Sequence, residues 1–200
     1  MNAISNSAVH RVMVSQSWDL VLTTEKHNSG RSYGGKSQVD FYVERAVVST
    51  FSPFFKSLVD GGFAESHQDR VVLQKIEVQA LEIIIRVLHN QRDDRGLYSQ
   101  APVRGTGVYE LIFAIDYTDL DMMHFERWFA AWYGSQPRDR HGDMVKLLYP
   151  CFVFKHAIGF QHCTRRLVYS SRCAIFAHPP FGFGRFRLPA AVLRMYPLFS

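Results

Sequence analysis

The sequence predicts an α+β fold in which a short three-stranded sheet is packed with helices and followed by a helical extension. Three observations predict it. Short segments rich in branched residues occur at 19–24, 39–43 and 70–73, separated by turn-forming stretches. Longer segments between and after them place apolar residues at helical spacing. From residue 108 to about 170 the pattern is helical. A chain of 200 residues is long enough to bury a core, and an apolar fraction of 47% with 20% charged residues excludes general disorder.

Residues 1–17 are polar and aperiodic and read as a flexible N-terminal arm. Asp19 to Thr24 is the first predicted strand, and the Gly/Ser-rich stretch from Glu25 to Gln38 is a loop or a long hairpin connection. From Val39 to Val43 the alternation of Val39, Phe41 and Val43 with polar neighbours predicts a half-buried strand. Ala46, Val47 and Val48 make a helical turn. Ser52-Pro53 then supplies an N-cap and a first helical residue, and Phe54, Phe55, Leu58 and Val59 follow at helical spacing. Gly61-Gly62 ends that helix. Arg70 to Leu73 is the third strand, and Val78, Leu81, Ile84, Ile85 and Leu88 form the stripe of an amphipathic helix.

Residues 91–107 are charged and turn-rich, a surface connection. Four further stripes follow: Val108, Leu111, Ile112 and Ile115; Met122, Phe125, Phe129 and Trp132, with Asp121 placed to cap them; Met144, Leu147, Leu148 and Cys151; and Phe160, Cys163, Leu167 and Val168. Pro150 falls inside the third, where a kink or break is expected. The organisation expected is an arm at 1–17, a domain at 18–133, a helical extension at 134–172 and a basic aromatic tail at 173–200, partly irregular.

The net charge of +5 is localised. Residues 172–200 hold Arg172, Arg185, Arg187 and Arg194 and no acid, so the rest of the chain is nearly neutral. A basic tail meets phosphate or an acidic lipid face in some proteins, but solvated arginines are the simpler reading. No apolar run is long enough to span a bilayer and no secretory signal is evident, so no membrane association is expected and the expected location is intracellular, cytoplasm and/or nucleus. Three cysteines without a CxxC pair argue against a disulfide framework.

The segments VERAVVSTFSPFFKSLVDGGFAES (43–66) and RVVLQKIEVQALEIIIRVLH (70–89) carry a resemblance. Their order and motifs are similar to the BTB/POZ family, whose pattern runs from a strand ending in Val-His-Lys through Ser-Pro-[Tyr/Phe]-Phe, a helix and Phe-x-Glu-Ser to a strand and a long helix. Asp19, Val43, Ser52, Pro53, Phe54, Phe55, Phe63, Glu65 and Ser66 match that pattern. The family's histidine and lysine are Glu44 and Arg45 here. A weaker likeness through 108–132 and 146–169 resembles the helical extension of the BTB-only proteins common in filamentous fungi.

The resemblance implies a non-catalytic adaptor or oligomerisation module whose partners are proteins. Dimers of the family form through the first strand and neighbouring helices. Many members recruit the cullin-3 scaffold of ubiquitin ligases through an apolar-x-Glu motif in the loop after the SPxF helix, and Phe63-Ala64-Glu65 matches it. Two readings of that loop stand: Phe63 entering a partner's pocket beside a contact made by Glu65, or Phe63 packed inward with Glu65 solvated. Some members regulate transcription, an alternative role. No catalytic residue, cofactor, metal or small-molecule substrate is expected, and nucleic acid is disfavoured because no DNA-reading module accompanies the tail.

Other patterns compete for the same residues. Gly30-Arg31-Ser32-Tyr33-Gly34-Gly35-Lys36-Ser37 fits the phosphate-loop pattern and suggests a nucleotide-binding protein. That mechanism needs a strand directly before the loop and a helix directly after it. Here five polar residues intervene before Gly30, and 38–43 alternates like a strand. The supporting segment, Leu111 to Asp116, lies on a helical stripe. Cys151, His156, His162 and Cys163 have metal-ligand chemistry but not the paired spacing of a zinc site, and core cysteines are favoured. Trp128 and Trp132, four apart, read as packing residues.

Overall fold

A computed structural model describes residues 9–26, 37–61, 68–90, 107–138, 140–170, 188–190 and 192. The chain forms two compact units, Met1–Leu97 with Glu110–Asp121 and Tyr98–Tyr109 with Met122–Ser200.

The first unit is built on a mixed sheet of four strands, β1 (His10–Met13), β2 (Leu20–Lys26), β3 (Ser37–Val43) and β4 (Arg70–Leu73), in the order β1-β3-β2-β4. β2 and β3 are antiparallel with Leu22 opposite Phe41; β1 runs parallel to β3, and β4 parallel to β2. The sheet therefore has one strand more than the three expected, and His10–Met13 lies within the segment read as a loose arm. The reason is physical. β1 is an edge strand with three of its four residues exposed, so backbone pairing holds it and it writes no apolar alternation into the sequence.

The two sheet faces differ in chemistry. Leu20, Leu22, Phe41, Val43, Val71 and Leu73 face the core and are buried. Thr24 joins them, its hydroxyl donating to the Ile76 carbonyl at 2.8 Å. On the other face the buried Asp40 accepts two hydrogen bonds from Arg70, at 2.8 and 2.9 Å, and one from the Thr23 hydroxyl at 2.8 Å. Burial alone would raise the Asp40 pKa. The hydrogen bonds from Arg70 and Thr23, the Arg70 charge and the Gln38 amide outweigh it and hold the carboxyl below the usual carboxylate range. One carboxylate thus ties β3 to β2 and β4, the paired arrangement that a buried charge requires.

Helices α1 (Arg45–Phe51), α2 (Pro53–Asp60) and α3 (Val78–Asn90) complete this part of the core. The predicted stripe of α3 is buried at Leu81, Ile84, Ile85 and Leu88, but Ala80, Ile83 and Val87 are buried as well. The helix packs against α1, β2 and β3, so more than one of its sides is covered. Gly61 closes α2 at φ −78°, outside the left-handed region. Its requirement is steric, since a Cβ there would strike the Ser57 carbonyl.

Helix α4 (Gly107–Tyr117) begins with residues of the second unit and continues with residues of the first. It ends in a Schellman turn: Asp119 takes a left-handed φ of 50°, and the Leu120 amide donates to the Ile115 carbonyl at 3.0 Å.

The second unit holds a 3-10 turn (Met122–Phe125), α5 (Glu126–Ser135), α6 (His141–Val153) and α7 (Ala157–Ser170). Because the 3-10 turn intervenes, Phe125 rather than Asp121 occupies the cap position of α5, and no side chain caps it. The core here is aromatic. Phe129 stacks on Phe154 with centroids 4.5 Å apart, and the buried Trp128 and Trp132 stack on each other at 6.0 Å.

Pro150 does not break α6, which runs on to Val153. A proline at 150 withholds the amide that would bond the Lys146 carbonyl four residues back. That carbonyl accepts instead from the hydroxyl of the buried Tyr109, at 2.9 Å. Burial raises the Tyr109 pKa, so the phenol keeps the proton it donates.

Candidate interaction site

Asp19 and Arg45 frame the segment that carries the predicted partner residues. The Asp19 amide donates to the Val43 carbonyl at 3.2 Å, and its carboxylate accepts the Arg45 amide at 2.6 Å. A side chain distant in sequence thereby caps the first turn of α1. The Arg45 guanidinium then reaches the carbonyl of Val59 at 3.0 Å, on α2, and that of Gln68 at 3.1 Å. These two carbonyls stand on either side of residues 62–67, so one cation joins the residues that flank that segment. Phe63, Glu65 and Ser66 lie outside the described residues.

Position 44, where the glutamate departs from the Val-His-Lys pattern, has its own partners. The Glu44 carboxylate accepts hydrogen bonds from the hydroxyls of Ser15 and Ser17, which precede β2. Its amide donates to His89 Nε2 at 3.1 Å, while His89 Nδ1 lies 2.7 Å from the Ile85 carbonyl. The imidazole therefore donates through Nδ1 and accepts through Nε2, which fixes the neutral tautomer.

Ser52 and Pro53 perform the capping that their order predicts. The buried Ser52 hydroxyl accepts the Phe55 amide at 3.1 Å, with Pro53 opening α2. The same hydroxyl donates to the Thr118 carbonyl at 2.6 Å, beyond the end of α4. Val43 and Phe55 are fully buried. Phe54 is half-buried, with its ring 5.4 Å from Phe55 and 5.3 Å from Tyr117. Tyr117 is exposed, stacks on Phe113 at 5.9 Å and lies under the Lys75 ammonium at 5.7 Å. Helix α2 thus carries an aromatic, partly exposed surface before it enters the loop.

This order of strands, capped short helices and long helix is reflected in a family match. Residues 17–96 match the family model of the BTB/POZ domain. They form a BTB/POZ domain. No curated protein matches the chain. Of the sheet, β2, β3 and β4 fall inside the matched segment, while β1 precedes it.

Within the BTB/POZ domain, the motif residues act as two groups. Asp19, Val43 and Arg45 meet at the strand ends, and Ser52, Pro53, Phe54 and Phe55 build and cap α2. Sequence reasoning missed the Arg45 clamp, the Asp40–Arg70 pair and the role of Thr118. All three are contacts across 14 or more positions, and periodicity carries no record of them.

The competing patterns resolve into structure. Residues 30–36 lie outside the described residues, but β3 begins at Ser37. A strand, not a helix, follows Lys36, so no helix N-terminus is there to receive a phosphate. Leu111 to Asp116 lies in α4. Cys151 and Cys163 are buried, and a hydrogen bond to Cys163, with burial adding to it, pushes the Cys151 thiol up. His156 Nδ1 accepts the Gly159 amide at 3.0 Å and caps α7, and His162 lies 3.1 Å from the Tyr133 hydroxyl. Among the described residues no three His, Cys, Asp or Glu side chains group so as to hold a metal ion, and no helix is long and apolar enough to cross a membrane.

Proposed function

We propose that the chain is an adaptor that self-associates and recruits a cullin-3 type ubiquitin ligase scaffold through the loop at 62–67. A BTB/POZ domain is an interaction module, so protein partners follow from the family. The observation that carries the finer reading is the Arg45 clamp on the Val59 and Gln68 carbonyls. A loop tied at both ends presents its side chains with less ordering cost on binding than a free one. Phe63 is the apolar anchor and Glu65 the charge-assisted acceptor. The organisation that goes with this reading is an arm over 1–17, an interaction domain over 18–133, a helical extension over 134–172 and a basic aromatic tail over 173–200, with residues 91–107 and the tail as the candidates for holding clients.

Pull-down of the cullin-3 N-terminal domain by the full chain tests the proposal. Phe63→Ala is expected to abolish capture and Glu65→Ala to weaken it, with the circular dichroism spectrum unchanged. Capture by Phe63→Ala at the native level removes the recruiting role of the loop.

A further inference from the structure

Helix α7 has one covered side and one bare side. Gly159, Cys163, Thr164 and Leu167 are buried, whereas Ile158, Gln161, Arg165, Arg166 and Tyr169 are exposed. Ile158 and Tyr169 are 78% and 81% accessible, the two highest values among the exposed large hydrophobic residues of the described chain. Positions 158, 165 and 169 fall on one face of a helix, with Arg166 at its flank, along a line of roughly 16 Å. Isolated exposed apolar residues are unremarkable, but two of them bracketing a cation on one line make an oriented surface.

The charge of the sequence that carries α7 has one sign. Residues 144–200 contain no aspartate or glutamate and eight lysines and arginines; all eighteen acids of the chain lie in the first 143 residues. The ion pairs of the described residues join Arg70 to Asp40 and Arg86 to Glu82, and neither Arg165 nor Arg166 is paired with a described acid. Lys155, exposed just before the helix, adds a third cation.

We propose that the bare face of α7 docks an acidic amphipathic helix of a partner protein, with Ile158 and Tyr169 as apolar anchors and Arg165 and Arg166 paired to its carboxylates. Complementary charge steers and aligns such a partner, while the anchors supply the apolar burial that exposed ion pairs alone lack. Apolar anchors spaced along one helix face are the pattern of helix-on-helix recognition. A lipid surface would favour a broad apolar face rather than a line, and a phosphate backbone offers Ile158 no apolar counterpart. This proposal uses none of residues 62–67, so the two proposals stand or fall independently.

The test is fluorescence anisotropy of the full chain with a labelled acidic peptide of about five helical turns. The peptide carries leucine at i, i+3, i+4 and i+7 and glutamate elsewhere, and a scrambled peptide of the same composition is the control. The amphipathic peptide is expected to bind about tenfold or more tightly than the scrambled one. Both the Arg165→Glu/Arg166→Glu and the Ile158→Ser/Tyr169→Ser variants are expected to lose a similar factor, with unchanged circular dichroism because all four side chains are exposed. Equal binding of the two peptides, or undiminished binding by either variant, overturns the proposal. So does a failure to bind the peptide alongside capture of phosphatidylserine vesicles or single-stranded DNA, which would assign the face to those ligands.

Discussion

At Ser52 a single hydroxyl serves two helices, accepting an amide at the start of α2 and donating to the Thr118 carbonyl beyond α4. The first contact is written in the sequence, because serine before proline is a local signal. The second spans 66 positions and has no local trace. His156 shows the same division. Its place before α7 is a sequence fact, but its role as an N-cap through Nδ1 depends on the backbone turn that Lys155, at φ 52°, creates. Burial lowers the His156 pKa, so the unfolded chain binds the proton more readily than the folded one. The stabilisation is complete above about pH 6.5 and is lost as pH falls through the folded value. Urea midpoints of the native chain are therefore expected to drop as the pH is lowered from roughly 7.5 to 5, and those of His156→Asn to drop less, since asparagine caps without titrating. An equal drop in both would show that His156 does not carry this dependence.

Among the elements, α6 is the instructive one. Proline in a helical stripe signals a break, yet α6 passes through Pro150 because Tyr109 supplies the donor that proline lacks. Tyr109→Phe is expected to destabilise the protein by about 1 kcal/mol by removing the part-buried hydrogen bond to the Lys146 carbonyl. In a Pro150→Ala background the alanine amide takes over, and most of that cost should vanish. A double-mutant cycle by urea denaturation measures this, and additive costs would refute the coupling. The strands tell a similar story. β2, β3 and β4 are legible from branched residues and alternation, whereas β1 is not, because an exposed edge strand owes its existence to the neighbour it pairs with.

For the molecule as a whole, the adaptor reading predicts self-association. Size-exclusion chromatography with light scattering should give a mass of twice the 23.0 kDa chain at micromolar concentration, and the mass of one chain would remove that part of the proposal. By itself the sequence determined the α+β class, most of the helices and three strands, and the SPFF and GFAES motifs that pointed to the BTB/POZ family. Those features rest on interactions between residues near in the chain, so periodicity and capping record them. Only the tertiary structure decided that Arg45 bonds the carbonyls of both Val59 and Gln68, that Asp40 joins three strands, that Tyr109 carries α6 past Pro150, and that the outer face of α7 is exposed. Each depends on which distant groups the fold brings within hydrogen-bonding reach or leaves to water, and a linear pattern holds no such distances.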